Sequence, residues 1–175
     1  MSRKLPHRIV IAGSSGAGKT TLARAVSDKL DLPFTEIDSV FHGENWMPRE
    51  SFLDDVRAIA ARDEWVSEWQ YEPARPILAA RATMMVWLDY PWPVQMSRAI
   101  RRTARRRLRR EELWNGNQEG PLLGIFTDEE HIIRWAWRTR HKLRDLPERL
   151  ERDHPHLDLV RLKSQRETDR WLATI

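Results

Sequence analysis

Residues 8–30 read RIVIAGSSGAGKTTLARAVSDKL, and the fold follows from what stands at their centre. Gly13-Ser14-Ser15-Gly16-Ala17-Gly18-Lys19-Thr20 satisfies the G-x-x-x-x-G-K-[ST] phosphate-loop pattern at every fixed position. Before it, Ile9, Val10, Ile11 and Ala12 form a short continuous apolar run, the mark of a parallel strand buried on both faces. After it, Leu22, Val26 and Leu30 recur every four residues, as on one face of a helix. A glycine-rich turn between such a strand and such a helix leaves successive backbone N–H groups aimed at an anion, at the positive end of the helix dipole. Gly13 to Thr20, followed by Thr21, are therefore the expected cradle for the polyphosphate of ATP. Lys19 would reach the β- and γ-phosphate oxygens, and the Thr20 hydroxyl would ligate Mg2+.

Beyond the helix, Asp31-Leu32-Pro33 breaks the chain, and Phe34 to Asp38 reads as a second short strand ending in an acid. An acid at the carboxyl end of a strand, beside the phosphate loop, is placed to hold or deprotonate an acceptor hydroxyl or to reach Mg2+ through water; Asp38 is that candidate, with Glu36 a weaker one on the same face. Its alternative is a solvated turn residue. Residues 39–49 read as a loop whose Phe41, His42, Trp46 and Met47 either line an acceptor pocket or plug the core, and 50–62 as a helix. Trp65 to Trp69 reads as a third strand that delivers Glu68, a candidate to orient the hydration shell of Mg2+. A helix follows Pro73 or Pro76, and Met84 to Tyr90 is a further buried strand closed by Pro91 and Pro93.

On a helical wheel, residues 94–110 place Arg98, Arg101, Arg102, Arg105 and Arg109 on one face and Met96, Ile100, Thr103, Ala104 and Leu108 on the other. Guanidinium groups fork onto phosphate oxygens, so the stripe is either a phosphate clamp or a solvated basic face. Residues 111–127 hold three glycines and a proline and read as a mobile lid; a helix over 129–145 then carries Arg134 and Arg138. Residues 157–162 alternate as a fifth strand, and 167–175 form a last helix.

A chain of 175 residues suits one domain, and with 41% hydrophobic and 32% charged residues it is globular rather than disordered. Cysteine is absent, which excludes disulfides and thiolate metal sites. No apolar run approaches the roughly 18 residues of a membrane span, and residues 1–8 lack the apolar core of a signal peptide. The expectation is a cytoplasmic protein with no membrane partner. Residues 1–90 carry 11 Lys/Arg against 13 Asp/Glu, and residues 91–175 carry 19 against 13, so the expectation for the second half is an anionic partner: a nucleoside triphosphate, a phosphorylated acceptor or a nucleic acid.

In these segments the chain resembles nucleoside-monophosphate-kinase-type phosphate-loop kinases, and more narrowly the adenylate-kinase-related group labelled DNA topology modulation proteins. The likeness runs through WVSEWQY (65–71), VWLDYP (86–91), RRTARRRLRREELWNGN (101–117) and HIIRWAWR (131–138). It implies a three-layer α/β/α phosphate-loop fold, with a five-stranded parallel sheet in order 2-3-1-4-5 and an arginine-rich lid at about 111–128. It also implies that Arg98 lies against the ATP base, that Arg102 contacts phosphates, and that Arg134 and Arg138 are the arginines after the lid. Two departures bear on the acceptor. Glu68-Trp69-Gln70-Tyr71 stands where many relatives carry Asp-Gly-Asn-Tyr, and Ser39-Val40-Phe41 stands where an arginine grips an acceptor monophosphate.

The reading is an ATP- and Mg2+-dependent kinase of a small-molecule phosphate acceptor, with Lys19, Asp38, Arg102, Arg134 and Arg138 as its catalytic groups. The rival is a nucleic-acid-binding ATPase that lays a phosphate backbone along Arg98 to Arg110. No N-K-x-D motif supports a GTPase switch.

Overall fold

The computed structural model describes residues 6–109, 113–117 and 143–175. Five parallel strands form one sheet in the order β2-β3-β1-β4-β5. In chain order these are β1 (Arg8–Gly13), β2 (Phe34–Thr35), β3 (Trp65–Glu68), β4 (Met84–Leu88) and β5 (Asp158–Leu162). The central strand β1 pairs with β3 on one side and β4 on the other, Ile9 facing both Val66 and Met84. With neighbours on both edges and helices on both faces, it has no polar side, which is why its sequence is an unbroken apolar run.

Alternation along β1 divides the interior in two. Val10 and Ala12 join Val56, Trp65, Leu78, Met85 and Leu146 in one cluster, whereas Ile9 and Ile11 join Leu22, Val26, Val86 and Leu162 in the other. The first core lies under α3 (Phe52–Ala61) and α4 (Ala74–Arg81), and the second under α1 (Lys19–Leu30). The expected three-layer phosphate-loop architecture and strand order are both present.

Three expectations change. The second strand covers only Phe34 and Thr35, paired with Val66 and Ser67, because Ile37 opens a short helix, α2 (Ile37–Phe41), in place of strand residues. The Ile37 N–H is taken by a Glu68 carboxylate oxygen at 3.2 Å, and Ile37 itself is fully buried, so the backbone has no ladder left to extend. Asp38 therefore stands in the first turn of a helix, a favourable place for an acid.

The second change concerns α5 (Trp92–Arg109), whose inward residues are Gln95, Ala99 and Thr103. Ile100 and Leu108, expected to face the core, are 45% and 82% exposed. The reason is close approach: this helix passes directly over Gly16, where only small side chains fit, as shown below.

Third, Leu143 to Asp145 form a turn, after which α6 (Leu146–Asp153) starts with Pro147 in its first turn, where a missing N–H costs nothing. The rest of the helix expected over 129–145 lies outside the described residues, as do Arg134 and Arg138. The last helix, α7, runs from Gln165 to Thr174. Among the described residues, no helix is long and apolar enough to cross a membrane.

Candidate active site

The phosphate loop starts from the end of β1 and returns into α1, whose N-cap is Gly18 at φ 98°. No side chain caps that helix and no acid stands in its first turn, so its leading N–H groups are left for an anion. By contrast, α7 is capped by the Ser164 side chain, which accepts from the Glu167 N–H. Lys19 curls back over the loop, its Nζ 3.4 Å from the Ser14 carbonyl.

Gly16 is the tightest point. It sits at φ 82°, and a Cβ there would lie 2.2 Å from the Gln95 carbonyl and 3.1 Å from the Ala99 Cβ. Gly16→Ala is accordingly expected to push α5 off the loop. Left-handed strain and the clash each cost about 1–3 kcal/mol. A lower urea midpoint should accompany at least a roughly tenfold loss of MgATP affinity by titration; wild-type values for both would contradict this packing.

Glu68, at the end of β3, is 1% exposed. One carboxylate oxygen receives the Thr20 hydroxyl at 2.5 Å and the other the Ile37 N–H. Burial pushes its carboxyl above the ordinary range, while Lys19 and the Thr20 hydrogen bond pull it back. Burial likewise lowers the Lys19 ammonium, opposed by Glu68 and then Asp38. A hydroxyl and a buried carboxylate this close are two hard oxygen donors, the set that suits Mg2+. Thr20 and Glu68, the expected metal-side residues, thus meet.

The arginines of α5 split. Arg98 and Arg102 are half-buried and turn toward the loop, whereas Arg101, Arg105 and Arg109 are exposed. Arg98 lies 5.0 Å over the Tyr90 ring, 3.5 Å from the Ala17 carbonyl and 3.0 Å from the Gln165 side-chain oxygen. Arg102 reaches the Ser15 hydroxyl at 3.4 Å. Arg98, Arg101, Arg102 and Arg105 together line an open groove of about 490 Å³ on α5. Thr21 is exposed on α1. Asp89, from the motif Asp89-x-Pro91, is held at β5 by Arg161, which also stacks 4.5 Å over Trp87.

On the other side of Lys19, Asp38 accepts hydrogen bonds from Gln70 Nε2 at 2.6 Å and Tyr71 Oη at 2.7 Å, both to Oδ1. Tyr71 Oη also contacts His42 Nε2 at 3.0 Å, and its ring stacks on Phe41 with centroids 3.8 Å apart. The loop beyond is aromatic: His42 packs edge-on to Trp46 and face-on to Trp114. Phe41, partly buried, packs against the core cluster, while Trp46 and Met47 are exposed.

Residues 113–117 were expected to be part of a mobile lid. In this structure Asn117 is 5% exposed and docks them on this loop, donating to the Gly43 and Trp114 carbonyls, both at 2.8 Å, and accepting from the Trp46 N–H. Gln70, Tyr71 and Asn117 are the polar residues that sequence reasoning did not nominate. The signal for Tyr71 is its φ of 58°, a left-handed conformation that a pattern of residue types does not reveal.

Comparison with known proteins agrees with this architecture. The Zeta toxin family model matches residues 1–41, the segment holding the phosphate loop. No curated protein matches the sequence. Among solved structures, a gluconokinase from Sinorhizobium meliloti 1021 is similar at 19% identity and a TM-score of 0.55, with 98% of this chain and 94% of that one covered. A shikimate kinase from Acinetobacter baumannii, solved in complex with shikimate, is similar at 20% identity and a TM-score of 0.57, covering 98% and 90%. A sugar kinase from Janibacter sp. HTCC2649 is similar at 18% identity and a TM-score of 0.52, covering 97% and 94%. At these identities the likeness is one of fold.

Proposed function

We propose that this chain is an ATP- and Mg2+-dependent phosphotransferase acting on a small molecule, a single domain over residues 1–175 with an arginine-bearing lid near 111–128. The observation that carries the proposal is the meeting of Thr20 and the buried Glu68 at 2.5 Å, with Lys19 within electrostatic reach of both Glu68 and Arg102. Lys19 and Arg102 would neutralise charge on the transferring phosphoryl group, joined by Arg134 and Arg138 from beyond the lid. Arg98, held flat between Tyr90 and Gln165, would face the base. Residues Gly13 to Thr21 would hold the triphosphate, and Thr20 with Glu68 the metal, which when bound supplies positive charge to the β- and γ-phosphates. Asp38 would position the acceptor. The named activities of the structural neighbours, a gluconokinase and a shikimate kinase, favour a small-molecule kinase. The narrower adenylate-kinase-related subtype rests on the sequence resemblance.

The deciding experiment measures ADP formation from MgATP with a panel of monophosphates and hydroxylated metabolites. ADP production above the acceptor-free rate is expected with at least one compound.

The exposed Arg101, Arg105 and Arg109 favour a second reading, contact with a nucleic-acid backbone. Oligonucleotide binding that falls steeply with salt would support it, and no binding at low salt would remove it.

A further inference from the structure

Asp38 is held by groups that leave one of its oxygens for a specific task. Both donors, Gln70 Nε2 and Tyr71 Oη, converge on Oδ1. Among the described residues none donates to Oδ2. Neither donor is cationic, and among the described residues none forms an ion pair with Asp38, while Lys19 lies within electrostatic reach.

Tyr71 is fixed in several ways. Its carbonyl accepts the N–H groups of Ala74 and Arg75 at the start of α4, its ring lies on Phe41, and Phe52 meets it edge-on at 5.4 Å. Burial and the neighbouring Asp38 push its phenol well above the ordinary range, so it stays a donor. A phenol has one proton. Given to Asp38, it leaves His42 Nε2 to donate to the phenolic oxygen, and the three residues form a directed chain from His42 through Tyr71 to Asp38.

The chemistry of the acceptor follows from what such a carboxylate can do. A phosphate oxygen near neutral pH is already anionic, has no proton that must be removed, and is repelled by a neighbouring carboxylate. An alcohol carries a proton that must leave as its oxygen bonds to phosphorus, and a free carboxylate oxygen takes it. Resting on the phosphotransferase reading above, we infer that the acceptor's reacting atom is an alcohol oxygen rather than a phosphate oxygen, with Asp38 Oδ2 receiving its proton and Tyr71 acting as the positioning residue for Asp38. In the step, the alcohol oxygen bonds to the γ-phosphorus and the bond from that phosphorus to the β–γ bridging oxygen breaks. The bridging oxygen leaves with the electron pair as ADP, and the alcohol proton passes to Asp38 and then to solvent. The products are a phosphomonoester, ADP and a proton.

The test uses the full chain with MgATP. Probe acceptors are AMP, CMP, GMP and UMP on one side and the unphosphorylated alcohols gluconate, shikimate, glycerol and the four ribonucleosides on the other; 31P NMR identifies the product. A phosphomonoester from any alcohol, with no nucleoside diphosphate from any monophosphate, is expected. A nucleoside diphosphate formed from a monophosphate overturns the inference.

Water, itself a hydroxyl nucleophile, serves as the acceptor in the second arm. Tyr71→Phe and Asp38→Asn should each lower kcat of acceptor-free ATP hydrolysis on the order of 10–100-fold with KM for ATP unchanged. A purely structural role would move KM and the urea midpoint instead, and unchanged kcat in both variants overturns the inference even if no probe alcohol reacts. Absence of saturable MgATP turnover in the wild-type chain would overturn the phosphotransferase reading itself, an outcome distinct from either of these.

Discussion

Lys19→Ala is expected to lower kcat for ATP turnover by on the order of 10³-fold. The side chain is half-buried over the loop, and burial holds its ammonium below the ordinary range against the pull of Glu68 and Asp38. A poorly hydrated cation interacts with a phosphate oxygen at low effective dielectric, where one charge is worth far more than in water. The substitution acts twice. Lys19 is the largest opponent of the burial that pushes Glu68 upward, so its loss raises that carboxyl further and weakens the charge offered to the metal. ADP formation under saturating MgATP measures the effect, and a variant turning over near the wild-type rate would refute the placement of Lys19 at the phosphates.

Glu68→Gln separates the metal role from the fold. Glutamine keeps one acceptor oxygen for the Ile37 N–H, and its amide N–H can donate to the Thr20 hydroxyl in a reversed bond, so α2 should remain docked on β3. It removes the negative charge, and the apparent affinity for Mg2+ should fall about 10–100-fold, the usual consequence of losing a group that orients a metal's ligands. Titrating Mg2+ at fixed ATP reads this directly.

The same variant makes an opposite prediction for stability. Because burial raises the folded-state pKa of Glu68, the native chain binds a proton that the unfolded chain has released. Below the unfolded pKa both states are protonated and the group contributes nothing. As pH rises from the ordinary glutamate range through the raised folded value, the penalty for burying the charge develops and stability falls. Glu68→Gln lacks this penalty. Its urea midpoint without Mg2+ should exceed that of the wild type above that window and match it below; equal midpoints at all pH values would show that the carboxylate is not strained.

These effects differ in how far the sequence announces them. Lys19 and Thr20 are legible because a phosphate loop is local: eight consecutive residues and their flanking periodicities contain both the turn and its context. Glu68 is read from the end of a strand, and its register opposite Ile11 brings it to Thr20. Arg98 and Arg102 were nominated with a stripe of five, but only these two turn inward. Hydrophobicity sends Ile100 and Leu108 to the core together with Thr103; of these Thr103 alone is buried, and the clearance over Gly16 brings Ala99 inward beside it. A wheel shows which residues share a face, but it contains no information about how closely the neighbouring backbone approaches.

Asp38 reads in the sequence as the end of a strand and stands instead on a helix. The strand stops at Thr35 because a side chain 31 residues away captures the Ile37 N–H, an interaction that no local propensity encodes. Tyr71, 33 residues from Asp38, and Asn117, 74 residues from Gly43, belong to the same class. Their meanings depend on partners that the chain brings together only after the sheet has formed.

Two things were determined by the sequence alone: a doubly covered central strand, which needs an unbroken apolar run, and the anion-binding turn that follows it, whose glycines and lysine act on groups a few residues away. Only the tertiary structure decided which arginines reach that turn, that Asp38 rides on a helix, and which polar groups surround it. Backbone conformation and burial period are short-range properties written in neighbouring residues, whereas the partners of a side chain are set by the packing distance between elements.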